Sequence, residues 1–119
     1  MNRFPEKLEL ELASRLRQVV GGQPVSETEL RLLADEAGGW TRVTEAQLGA
    51  AEERLARMNA DPTSPLSELA AEVRRVEALS HELGEARRLV EGLERRTREL
   101  RTAWLKHCAD SGSPLQPRT

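Results

Sequence analysis

Apolar residues recur along this chain at intervals of three and four, the period that lines one face of an α-helix. After Pro5, Leu8, Leu12, Leu16 and Val19 fall at spacings of 4, 4 and 3 and predict a first amphipathic helix near residues 5–20. Glu11 and Arg15 stand one turn apart on its wet side. Gly21-Gly22-Gln23-Pro24 should stop it, because glycine is permissive past a helix end and proline cannot continue one. Ser26-Glu27-Thr28-Glu29 then matches a capping box, in which Ser26 bonds the amide of Glu29 and Glu29 reaches back to Ser26. Leu30, Leu33, Ala34 and Ala37 form the stripe of this second helix, near 26–37, and Gly38-Gly39 reads as its end. Thr44-Glu45-Ala46-Gln47 matches another capping box and opens a third helix near 44–59, with Leu48, Ala51, Leu55 and Met58 on one face.

A turn at Asn59 to Pro65 leads into the dominant segment. With Ser64 as N-cap and Pro65 at the first helical position, a helix near 65–108 is predicted. At about 1.5 Å per residue it would be on the order of 65 Å long. Its seam reads Leu66, Leu69, Val73, Val76, Leu79, Leu83, Ala86, Val90, Leu93, Thr97, Leu100 and Trp104. That is a heptad pattern with one three-residue stammer between Val76 and Leu79. Gly84 and Gly92 each weaken such a helix by about 1 kcal/mol relative to alanine, unless a neighbouring helix needs the space.

The predicted fold is therefore all-α: three short amphipathic helices plus one long C-terminal coiled-coil-like helix, joined as a helical hairpin or bundle. Residues 1–109 should make a single helical domain, and 110–119, with two prolines, two serines and a glycine, a disordered tail. A deep catalytic cavity is not expected in 119 residues. Aromatics are confined to Phe4, Trp40 and Trp104, so leucine and alanine must do the packing, which is the composition of long helices rather than of sheets.

The formal net charge of −2 gives no footprint of a nucleic-acid binder. It conceals a polarised long helix. Residues 66–86 carry five glutamates and two arginines, net −3, whereas 87–106 carry six arginines, one lysine and three glutamates, net +4. The Arg87 to Arg101 stretch interleaves Glu91, Glu94 and Glu99, which would repel a phosphate backbone, and it contains no aromatic. The two halves would suit antiparallel pairing of two copies, or a folded-back acidic segment lying along the basic half.

Little else looks chemical. His81 and His107 are too far apart along one helix to share a metal or a proton, and the carboxylates lie beside arginines on wet faces. The glycine pairs lack the flanking strand and lysine of a phosphate loop. No enzyme activity, cofactor, metal or small-molecule substrate is expected. The single cysteine, Cys108, excludes an internal disulfide and suits a reducing compartment. With neither a membrane span nor a signal-peptide pattern, a cytoplasmic setting without membrane insertion is expected.

Gly38, Gly39 and Trp40 read as a tight joint between helices, with Trp40 capping the core at the corner. The order Leu30-Arg31-Leu32-Leu33-Ala34-Asp35-Glu36-Ala37-Gly38-Gly39-Trp40, then a helix over Ala46 to Met58, then a proline-containing break and a long helix, resembles flagellar type III export chaperones of the FliT-like class. In that class a helix tends to end near Gly-acidic-Trp; here Gly39 takes the acidic place, and an added helix precedes the match. The resemblance implies an all-helical chaperone that binds aggregation-prone secretion substrates and exposes its last helix to export machinery.

From the residues themselves, an adaptor or assembly subunit is expected, which uses the seam of the long helix to bind a protein partner, a second copy, or both. Its partner-binding positions would be Leu66, Leu69, Val73, Val76, Leu79, Leu83, Ala86, Val90, Leu93, Leu100 and Trp104.

Overall fold

The computed structural model of the protein describes residues 6–111. Three α-helices follow one another: α1, Glu6–Val20; α2, Glu27–Ala60; and α3, Leu66–Ser111. The all-α class is as expected, but the helix count is three rather than four. The segments predicted near 26–37 and 44–59 are one helix of 34 residues that runs straight through Gly38, Gly39 and Trp40.

The energies explain why. Two glycines in a helix interior cost about 2 kcal/mol together. Trp40, 2% exposed, lies on the same face as the buried Leu33, Ala37 and Thr44. A buried indole of about 200 Å² contributes up to about 5 kcal/mol at ~25 cal/mol per Å². Bending the helix at the glycines would turn that face away from α3, so burial outweighs propensity. Leu30, Leu33, Ala37, Trp40, Thr44, Ala51, Leu55 and Met58 keep the three-and-four spacing across the glycine pair, with one step of seven between Thr44 and Ala51.

The first turn forms as its residues predict. Gly22 adopts φ 109°, while its amide donates to the Val19 carbonyl (3.1 Å) and the Gln23 amide donates to that of Gln18 (3.0 Å). This is a Schellman closure, and it requires the left-handed residue that glycine supplies. Ser26 caps α2, its Oγ accepting from the Glu29 amide at 3.1 Å. The other half of that capping box is diverted: the Glu29 carboxylate accepts from Arg15 Nε at 2.7 Å and ties α1 to α2. At the far turn, Asp61 Oδ1 accepts from the Thr63 amide (2.9 Å) and hydroxyl (2.7 Å), and these bonds hold the Asp61 carboxyl below its ordinary range.

α2 and α3 form an antiparallel hairpin, and α1 packs along part of it. The whole is a rod of 77 × 24 × 22 Å. Ala13, Leu16 and Val19 of α1, Leu30, Leu33, Ala37 and Trp40 of α2, and Ala86 and Leu93 of α3 make one core. Ion pairs Arg17–Glu85 (2.7 Å), Arg87–Glu45 (2.6 Å) and Arg54–Glu72 (2.9 Å) cross between helices. α3 continues to Ser111, so Asp110 and Ser111, expected in the tail, are helical; residues 112–119 lie outside the described residues.

Candidate functional site

The hairpin register is set by side chains whose roles differ from those expected. Trp40 Nε1 donates to Glu82 Oε2 at 2.8 Å, and the buried Thr44 hydroxyl donates to the same oxygen at 3.5 Å. Trp40 is thus a mid-helix core residue rather than the corner of a joint, and Thr44 faces α3 instead of capping a helix. Glu82 stands three residues after Leu79 and four before Ala86, on the seam itself. A lone carboxylate there, facing the indole donor, is the sequence signal that marks this contact.

From Trp40–Glu82 to Arg54–Glu72 the α3 numbers fall as the α2 numbers rise, and between them the long Arg87 side chain reaches along the hairpin to Glu45. Continuing this register places Glu27 roughly level with Glu99. The last three turns of α3 therefore extend past the start of α2.

This register divides the seam proposed for partner binding. Leu79, Leu83, Ala86 and Leu93 are buried inside the chain, while Leu69, Val76, Val90 and Leu100 are half-buried. Folding itself covers most of the apolar stripe, because α2 is one long helix and reaches along it. Only Leu66 (81% exposed) and Val73 at the hairpin end, and Trp104 (56%) at the other, present large apolar surface from that set.

Around Trp104 the surface is concave. An open groove of about 760 Å³ is lined by Val25, Leu30, Arg31 and Ala34 on one side and by Thr97, Leu100, Arg101, Trp104 and Leu105 on the other, with Glu27, Ala103 and His107 at its margins. Of these, Leu100 and Trp104 were expected as partner-binding positions and Thr97 lies on the same seam, whereas Leu30 and Ala34 were expected only as the packing stripe of their own helix. The α2 wall is visible only once α2 and α3 are in register. Leu105 is half exposed, and Cys108, one turn beyond Trp104 on the same side of α3, is buried.

The charge polarity of α3 is met within the chain. Residues 27–45 of α2 hold five acidic and two basic side chains, net −3, and lie along the basic half of α3, with Glu45 bonded to Arg87. Arg96 Nη2 donates to the Gly22 carbonyl at 3.3 Å and fastens the first turn to α3, while its buried Nε has no acceptor. Glu29 is held below its usual range by the Arg15 hydrogen bond, and Arg15 is raised in return. Among the described residues no three acidic, histidine or cysteine side chains converge as a metal site would need, and no helix is long and apolar enough to cross a membrane.

No protein-family model matches the chain, and neither a curated protein nor a solved structure shows significant similarity to it. The function must be read from the groove and the helices that shape it. Gly38, Gly39 and Trp40, which carry the export-chaperone resemblance, lie inside a continuous helix.

Proposed function

We propose that the protein is a non-enzymatic helical interaction module, an adaptor or assembly subunit, which binds another protein through the groove where α3 outlasts α2. One observation carries this reading: Trp104 and Leu105 stand 56% and 50% exposed beside that groove, on a helix whose other seam positions are largely covered. Leaving an indole in water forfeits several kcal/mol of burial, which a partner recovers on docking. The groove's volume lies within the range of recognition sites, and its walls are helix faces that need no rearrangement to accept a side chain. The lone cysteine suits a reducing, cytoplasmic setting.

The export-chaperone alternative places an unfolded secretion client in the same groove and rests on the sequence resemblance alone. Affinity capture with the wild-type chain and with Trp104→Glu, in parallel and with helicity monitored by circular dichroism, tests the proposal. Partners should be lost from the variant while its helical signal is retained; partners held equally by both would sink it.

A further inference from the structure

The identity of the helix that covers the basic half of α3 inside the chain says what should cover the remainder. From Arg87 to about Glu99 the seam is met by residues 27–45 of α2, an amphipathic stretch of net charge −3. Past Glu99 the seam continues at unchanged spacing through Leu100, which still packs against the core, to Trp104, beyond the level at which α2 starts. The basic character continues too. Residues 95–111 hold five basic and two acidic side chains, net +3, and Arg98, Arg101 and Lys106 are exposed there. Of the described residues lining the groove, Glu27 is the one carboxylate, and Arg31 already pairs with it at 3.4 Å.

Resting on the reading of the groove as a protein-docking site, we propose that its occupant is an acidic amphipathic helix of another protein, lying antiparallel to α3 as a continuation of α2. Its leucine or alanine seam meets Leu100 and Trp104 with the packing that α2 uses lower down. Its carboxylates meet Arg98, Arg101 and Lys106 and set both orientation and partner choice. An extended peptide would match neither the heptad spacing nor the groove's two helical walls. A second copy of α3 would bring Arg101 against its own kind.

The test uses the full chain and two synthetic helical peptides of about five turns, identical in their leucine and alanine seam but flanked by glutamate in one and lysine in the other. Emission is read on the wild-type chain, where Trp40 is already buried and a blue shift on binding therefore reports the exposed Trp104. The glutamate peptide should shift Trp104 emission to the blue and bind at least about tenfold tighter than the lysine peptide, with the gap closing as salt is raised toward about 0.5 M. Arg98→Glu with Arg101→Glu should reverse the preference, and circular dichroism would show that these exposed substitutions leave the helices intact. Binding that depends on Trp104 but ignores flank charge overturns the acidic-helix inference and leaves the groove as a docking site. Binding unaffected by Trp104→Glu, or no binding of either peptide, overturns both. A wild-type dimer that dissociates on Trp104→Glu assigns the groove to a second copy and overturns the proposal.

Discussion

Val20 occupies the space that a side chain on Gly92 would need: an added Cβ would stand 2.9 and 3.1 Å from the two Val20 methyls. The glycine lets α1 approach α3 closely at this point, and its cost in helix propensity is outweighed by that approach. Gly92→Ala should lower stability by about 1 to 3 kcal/mol despite alanine's better propensity. Val20→Ala in the same chain should restore part of the loss. Urea unfolding of the single and double variants reads both effects.

Gly49 and Gly84 supply the contrast. A Cβ at Gly49 meets nothing within 4 Å, and at Gly84 only the end of Arg88 at 3.7 Å. Each alanine substitution should stabilise by about 0.5 to 1 kcal/mol. Gly38→Ala, whose nearest neighbour is the flexible end of Arg42 at 3.4 Å, should also stabilise. Were Gly38 part of a bent joint, the same change would be harmful, so thermal melts of this variant examine the continuity of α2 directly.

Glu82 accepts from both Trp40 and Thr44, so removing it strands two donors against α3. Glu82→Ala should cost about 2 to 3 kcal/mol, and Glu82→Gln, which keeps an acceptor for the indole, clearly less. Equal losses for the two variants would show that the contact is packing rather than hydrogen bonding. Equilibrium denaturation followed by Trp40 fluorescence reports it.

Substitutions along the seam should separate into two classes. Leu83→Glu and Leu93→Glu place a charge in the buried core and should each cost more than about 3 kcal/mol, enough to unfold a domain of marginal stability. Leu66→Glu and Trp104→Glu alter exposed positions and should leave the helical circular dichroism signal in place. Folded Leu83→Glu and Leu93→Glu chains would mean that the bundle tolerates opening at its centre.

Acid should release α1 from α2. The Arg15 bond depresses the Glu29 carboxyl, so the folded state binds that proton less readily than the unfolded chain. The resulting stability is fully present above the ordinary carboxylate range, about 4.3, and is lost as pH falls below it. Glu29→Gln should flatten that part of the pH–stability profile while leaving the contribution of Asp61 at the other end of α2, which has the same sign, unchanged. An unchanged acid limb in the variant would remove Glu29 as its source.

Much of this fold is legible in the chain. The Schellman glycine, the Ser26 cap and the start of α3 after Pro65 are local signals, and local chemistry decided them. The joint at Gly38-Gly39 was misread because a glycine pair specifies only what the backbone can do; whether it bends depends on what the flanking face buries. Thr44 was misread in the same way, since its hydroxyl suits a cap or a buried acceptor, and the acceptor lies on another helix. The groove beside Trp104 was half legible. Trp104 marked one wall, but the other is composed of ordinary α2 residues that become a wall only through the hairpin's register.

That register has a geometric consequence at a distance. Leucine and alanine repeats would fit almost as well if one helix slid a heptad along the other, and such a slide would bring no other acceptor to Trp40. The indole and Glu82 act as an index mark on the hairpin. By helping to fix how far α3 protrudes, a hydrogen bond roughly 25 to 30 Å away bears on which residues the groove contains.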